Sequence, residues 1–197
     1  MKYVNQLDYP DLPYYTRVKV EGLTREEMYR TVALSGCGLC CSCMAVDILT
    51  DKTLGIEECV RISEDCVANH AVGTDMHVLG PVIGEMFGLD YSSTNELDEA
   101  IRHIQAGGVA IALVWCRSEE EPGLFTKRGH YILLVSTDGE EFCILDPAYE
   151  PGKFDTPARA GKVNDKNAPY LYCDVNLVHA ETKPERTRYF LFKRSKK

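Results

Sequence analysis

The segment Leu39-Cys40-Cys41-Ser42-Cys43-Met44-Ala45-Val46-Asp47-Ile48-Leu49 carries apolar or small residues almost all round and nothing that breaks a helix. Such a pattern predicts a helix lodged in the interior rather than laid on a surface. Further helices are expected from about Ile56 to Val67 and from about Asp75 or Met76 to Phe87, where Gly88 closes the turn. Pro81 is expected to kink or split the second of these. Another helix should run over 96–105, capped by Asn95 and stopped by Gly107-Gly108. From there the pattern changes to strands: Val109–Trp115, His130–Val135, Phe142–Leu145 and, last, Arg188–Lys193. The first two are apolar at successive positions, as central strands covered on both faces would be. Helices first and an antiparallel sheet afterwards is an α+β order.

Neither a repeat nor a linker rich in Pro, Gly or Ser divides the chain, and 197 residues suffice for one domain with a sizeable core. The first forty residues, with Pro10, Pro13 and several tyrosines, read as an irregular arm packed on that domain. Against 30 Asp plus Glu stand 22 Lys plus Arg, a net charge of −8. That balance argues against nucleic acid as a partner, because phosphate binding demands a basic stripe. No stretch approaches 18 apolar residues, so membrane insertion is not expected. Nine cysteines, an odd number, together with a start that lacks a secretory h-region, place the chain in a reducing cytoplasm with free thiols.

One of those cysteines differs from the rest in its setting. Gly36-Cys37-Gly38 sits at the mouth of the buried helix, where backbone N–H groups and the helix dipole favour a thiolate. The flanking glycines would let a substrate backbone approach, and the Cys37 N–H can point at a developing oxyanion. The same three residues also suit a plain tight turn. A nucleophilic thiol needs a base, and His130, at the start of a strand, is the best candidate, with Asp146 at the end of the next strand to orient it. The hairpin between them decides whether the two meet. A two-residue Asp138-Gly139 loop would place them on opposite faces, whereas a three-residue loop, Asp138 to Glu140, pairs Ile132 with Asp146 and makes His130 its diagonal neighbour. The three-residue loop is the expectation, with Gly139 supplying a positive φ.

The run Ser35-Gly36-Cys37-Gly38, the helix containing Met44-Ala45-Val46, the Gly73-Thr74-Asp75 turn, the strand beginning Gly129-His130 and the Asp146-Pro147 pair resemble the papain-like cysteine peptidases related to the double-glycine leader peptidases of bacteriocin exporters. The resemblance covers residues 1–147, leaving 148–197 as a C-terminal extension and last strand. It implies an α+β papain-like fold in which N-terminal helices and a central buried helix pack on an antiparallel sheet. It further implies Cys37 as nucleophile, His130 as general base, Asp146 as orienting acid, no cofactor, and a peptide or amide substrate. The family's glutamine oxyanion donor has no counterpart between Thr31 and Gly36, but Asn5-Gln6-Leu7-Asp8 resembles the arm of stand-alone members, which gives that role to Gln6. Leu39-Cys40 stands where the family has Pro-Thr or a similar pair, and a leader-peptide substrate is not implied.

Plainer readings stand beside these. Cys43, Cys59, Cys66, Cys116, Cys143 and Cys173 read as inert core thiols. Cys40 and Cys41, one turn into the helix, approach the site, modulate it by oxidation, or merely pack. A metal at Cys37-Gly38-Leu39-Cys40 would need a second C-x-x-C or a His pair, which the spacing of Cys59 and Cys66 does not supply. His70, His77, His103 and His179 read as surface or satisfied imidazoles, and Gln6 as a surface residue of the arm is the alternative to its oxyanion role. Glu119-Glu120-Glu121 is a solvated loop or an acidic cleft wall that favours basic substrates. Residues 148–187 form either a lid or a decoration. The acyl-enzyme could equally pass to an amine or thiol acceptor, making a transferase, and a non-catalytic peptide-binding module is the remaining alternative.

Overall fold

A computed structural model describes residues 2–15, 24, 30–70, 73–116 and 123–196. Its helices are α1 Val32–Ser35, α2 Cys37–Leu49, α3 Ile56–Asp65, α4 Met76–Phe87, α5 Leu97–Gln105 and α6 Val175–Glu181. The strands are β1 Asn69–His70, β2 Gly73–Thr74, β3 Leu89–Thr94, β4 Val109–Trp115, β5 Gly129–Thr137, β6 Glu141–Leu145, β7 Asn164–Asn167, β8 Tyr170–Asp174 and β9 Tyr189–Arg194. Seven of them form one sheet in the order β3-β9-β4-β5-β6-β8-β7, antiparallel at every step.

The doubly apolar strands sit at the centre of this sheet because both faces are covered. Ile111, Leu113, Leu133, Leu145, Phe190 and Phe192 pack with residues of α2, α3 and α4. Their strand neighbours, among them Ala110, Ala112, Ile132, Leu134, Ile144 and Leu191, pack with α5 and α6. Period-two alternation therefore feeds two cores rather than one core and solvent. In α2 only Asp47 and Ile48 escape full burial, and each large apolar side chain it buries stabilises the fold by about 1.5–3 kcal/mol.

Several boundaries differ from the sequence expectation. The interior helix begins two residues early, at Cys37. The second helix stops at Asp65, because Val67 takes a left-handed φ of 60° and Ala68 N–H turns back to the Ser63 carbonyl. Pro81 neither splits α4 nor ends it: the helix runs to the left-handed Gly88. Asn95 does not cap α5, since its Oδ1 accepts from the Arg188 N–H, and Glu96 occupies the cap position. Within residues 148–187 the chain adds the β7–β8 hairpin to the sheet beside β6, followed by α6, before it returns as β9 between β3 and β4. Among the described residues no helix is long and apolar enough to cross a membrane.

Candidate active site

The register of β5 and β6 sets the first pair of side chains. Leu133 lies opposite Leu145 and Leu134 opposite Ile144, the pairing that the three-residue loop predicts. The three residues expected, Asp138 to Glu140, do separate the two strands, but they do not alone produce it. Asp138 Oδ1 accepts from the N–H groups of both Glu140 and Glu141, so the ladder at the turn starts instead with Thr137 opposite Phe142. An irregularity between Leu134 and Ser136 then shifts the register by one residue. Gly139 has the expected positive φ, 102°. Beyond Leu145, His130 and Asp146 share a face, and His130 Nε2 lies 2.7 Å from Asp146 Oδ1.

Cys37 reaches the same end of the sheet as the first residue of α2, after the chain turns through Gly36. Gly36 has no side chain to cap the helix, so the first-turn amides keep their pull on a negative group. Both glycines are required by the chain's own packing. A Cβ on Gly36 would lie 2.6 Å from Val32 Cγ1, and one on Gly38 would lie 2.9 Å from Thr74 Cβ and 3.2 Å from the Tyr131 ring. Gly38→Ala is therefore expected to cost about 1–3 kcal/mol by overpacking, read as a lower melting temperature together with slower alkylation of Cys37. A variant as stable and as reactive as the wild type would contradict this account of Gly38.

Cys37 and His130 are neighbours whose side chains interact, each favouring the other's charged form. With Nε2 committed to Asp146, Nδ1 is the ring nitrogen left for the thiol. Asp146 is fully buried, and its carboxylate is saturated: Oδ1 also accepts from the Ala148 N–H at 2.8 Å, and Oδ2 accepts from Lys153 Nζ at 2.6 Å. Lys153 was not found in the sequence. Its signal is faint: the Pro147 and Pro151-Gly152 turns fold the chain back so that a lysine seven positions on meets Asp146.

Gln6 is buried, not a surface residue of the arm. Its backbone N–H donates to the Pro147 carbonyl at 2.7 Å and its Nε2 to the Ala33 carbonyl at 2.6 Å, which sets the carboxamide between the turn after Asp146 and the helix before Cys37. Its Oε1 is buried without a partner. Tyr3 and Asn5 tie the arm to the same turn, donating to the carbonyls of Asp146 and Tyr149.

The electrostatics follow from these contacts. Burial works against the Cys37 thiolate, but the hydrogen bond and charge of His130, with backbone hydrogen bonds at Tyr131 and Gly38, outweigh it and hold the thiol below its ordinary value. Burial likewise opposes the imidazolium, yet Asp146 and Cys37 raise His130 to about 9. For Asp146 the burial penalty is overcome by His130 and Lys153, which hold the carboxyl down at about 2. Along this line Cys37 and Asp146 are each drawn toward the anionic form and His130 between them toward the cationic one.

The other thiols differ. Burial pushes Cys40, Cys41, Cys66 and Cys143 up and Cys173 to about 12. Cys59 is pushed up by its hydrogen bond with Cys43 and by burial. Cys40 and Cys41 are fully buried and pack, Cys41 donating to the Tyr131 carbonyl. Among the described residues no three His, Cys, Asp or Glu side chains gather as a metal site. His77, His103 and His179 each find a hydrogen-bond partner, in Thr187, Phe192 and Tyr189, and His179 lies on α6. The acidic run Glu119-Glu120-Glu121 lies outside the described residues.

No protein-family model and no curated protein matches the chain. A solved structure does: the crystal structure of a "putative C39-like peptidase" from Bacillus anthracis superposes with a TM-score of 0.55 over 82% of this chain and 90% of that one. The likeness is one of fold. Sequence identity is 11%, so the mixed architecture with its antiparallel sheet is shared with the C39-like structure, while the roles of individual side chains rest on the geometry above.

Proposed function

We propose that this chain is a thiol-dependent hydrolase of peptide or amide bonds, a single papain-like cysteine-peptidase domain akin to the stand-alone relatives of the double-glycine leader peptidases. The observation that carries the reading is the buried line Cys37–His130–Asp146, anchored by a 2.7 Å imidazole–carboxylate bond. The likeness to the C39-like structure supports it at the level of fold.

In this reading the Cys37 thiolate attacks the substrate carbonyl. The Cys37 N–H at the start of α2 and the Gln6 carboxamide receive the oxyanion, the latter with the Nε2 hydrogen that Ala33 does not use. His130 protonates the leaving amine from Nδ1, and a thioester joins substrate and enzyme. His130 then takes a proton from water as that water attacks the thioester, and Cys37 leaves as thiolate. Throughout, Asp146 holds the ring orientation and offsets its charge. No cofactor enters these steps.

The test maps iodoacetamide labelling of all nine cysteines by mass spectrometry from about pH 4 to 9, in the wild type and in His130→Ala. At neutral pH Cys37 should label about tenfold or more ahead of the other eight, with a rate that rises through a midpoint below that of an ordinary thiol. Without His130, burial outweighs the backbone hydrogen bonds that remain to Cys37, and its lead should vanish. Uniform labelling in the wild type would sink the proposal. Hydrolysis, unlike alkylation, also needs the imidazolium, so turnover should fall as pH rises through about 9 while alkylation persists. Added amine acceptors separate hydrolase from transferase by their products.

A further inference from the structure

We propose that Lys153, from the segment between β6 and β7, is a positioning residue of this site: its ammonium holds the Asp146 carboxylate in place and shares its charge, which limits how strongly that carboxylate binds a proton to His130. The proposal rests on the hydrolase reading for its catalytic meaning, but its geometry stands independently.

Lys153 Nζ lies 2.6 Å from Asp146 Oδ2 and 3.0 Å from the Ala148 carbonyl, and the lysine is mostly buried. The far side of the residue is clipped as well. Its carbonyl accepts from Arg159 Nη1 at 3.2 Å, and Arg159 Nε donates to the Gly123 carbonyl at 3.0 Å, leaving Arg159 itself only 8% exposed. A surface lysine that strays toward a carboxylate has no such scaffold. Here Arg159 anchors the Lys153 backbone, and the Ala148 carbonyl holds the ammonium beside the one carboxylate oxygen that His130 does not use. A flexible cation in that place would lose much of its attraction to side-chain entropy.

The consequence is electrostatic. The charged and titratable groups that face Asp146 and His130 are Tyr3 from the arm, Cys37 and Cys41 from α2, and Lys153 from the extension. Lys153 is the one permanent cation among these. With it present, the carboxylate divides its field between two positive partners. Without it, the whole negative charge acts on the imidazolium, which becomes a weaker acid and a slower donor to a leaving amine.

The experiment titrates His130 by NMR of protein labelled with ¹³C-histidine, its signal assigned by its loss in His130→Ala, with no substrate present. Lys153→Met is expected to raise the His130 midpoint by about one pH unit, and Lys153→Arg, which keeps the charge, to leave it within about 0.3 unit of wild type. Should Lys153→Met not fold, Arg159→Met is read the same way: it releases the Lys153 carbonyl and should move the midpoint upward by a smaller amount. A midpoint that stays in place or falls when the cation is removed or released overturns the proposal, as does an equal rise in Lys153→Arg. Turnover is scored separately, as kcat and KM. If a peptide substrate is found, Lys153→Met should lower kcat several-fold and leave KM unchanged. A shifted midpoint in a protein that cleaves nothing would uphold Lys153 and count against the hydrolase reading.

Discussion

Cys37→Ala should abolish turnover of peptidyl-amide substrates, lowering kcat by about 10⁴-fold or more. The expectation follows from the absence of a substitute. Cys40 and Cys41, the nearest thiols along the helix, are fully buried and pushed toward the neutral form, and neither has an imidazole to deprotonate it. Water activated directly by His130 is a poor replacement, since the imidazole is charged near neutral pH and has no free lone pair to accept a proton. Removing the thiolate also removes one of the two anions that hold His130 up, so its midpoint in Cys37→Ala should drop below about 9. The measurement is product release from a fluorogenic peptidyl-amide library, with the His130 titration in parallel. Turnover above about a hundredth of the wild-type rate would show that the nucleophile lies elsewhere. Cys37→Ser should be nearly as inactive as the alanine variant, because a hydroxyl is far too weak an acid to share its proton with His130 in the resting state.

How far this site could be read from the chain depends on how local each contact is. The interior helix was legible because an all-apolar helical stretch has no place on a surface, and Cys37 stood out because its helix start is a local feature. The His130–Asp146 pairing was legible only through parity: both residues flank a hairpin, and one choice of register brings them together. The prediction reached the right loop and the right pairing but missed that the ladder starts one residue off at the turn and that the irregularity between Leu134 and Ser136 cancels this shift at the far end of the hairpin. Strand periodicity cannot report a cancellation of that kind. The extension was harder. Residues Asn164–Asn167 and Tyr170–Asp174 are mostly polar or half-exposed, as strands at a sheet edge are, so they carry no apolar run to betray them. Lys153 was invisible because a lysine in a turn-rich segment looks the same whether it faces water or a buried carboxylate. Only the fold, which closes the Pro147–Gly152 loop back on Asp146, distinguishes the two.

Asp146→Ala should damage stability and chemistry together. The carboxylate is fully buried between two cationic partners, so its removal leaves the His130 and Lys153 side chains facing one another across a void with no anion between them. Breaking a buried pair from one side costs about 3–5 kcal/mol, which for a domain of this size corresponds to a fall in melting temperature of roughly 10 °C. The pH dependence of the wild type carries the same signature. Asp146 is lowered from 3.8 to about 2 on folding, so its contribution is present above about 4 and is lost as pH falls through 2. His130 is raised from 6.5 to about 9, so its contribution is complete below 6.5 and is lost as pH rises through 9. Both are in force between about 4 and 6.5, and Asp146→Ala should remove stability most in that window. Asp146→Asn tests the charge apart from the shape, since an amide oxygen can still orient the imidazole. With no carboxylate, the His130 midpoint should fall below its wild-type value and the acid limb of Cys37 alkylation should move to higher pH. Melting curves from pH 3 to 9, with the two titrations, check all of this. An Asp146→Ala protein that melts like wild type at pH 5 would mean that the buried carboxylate does not hold this end of the sheet together.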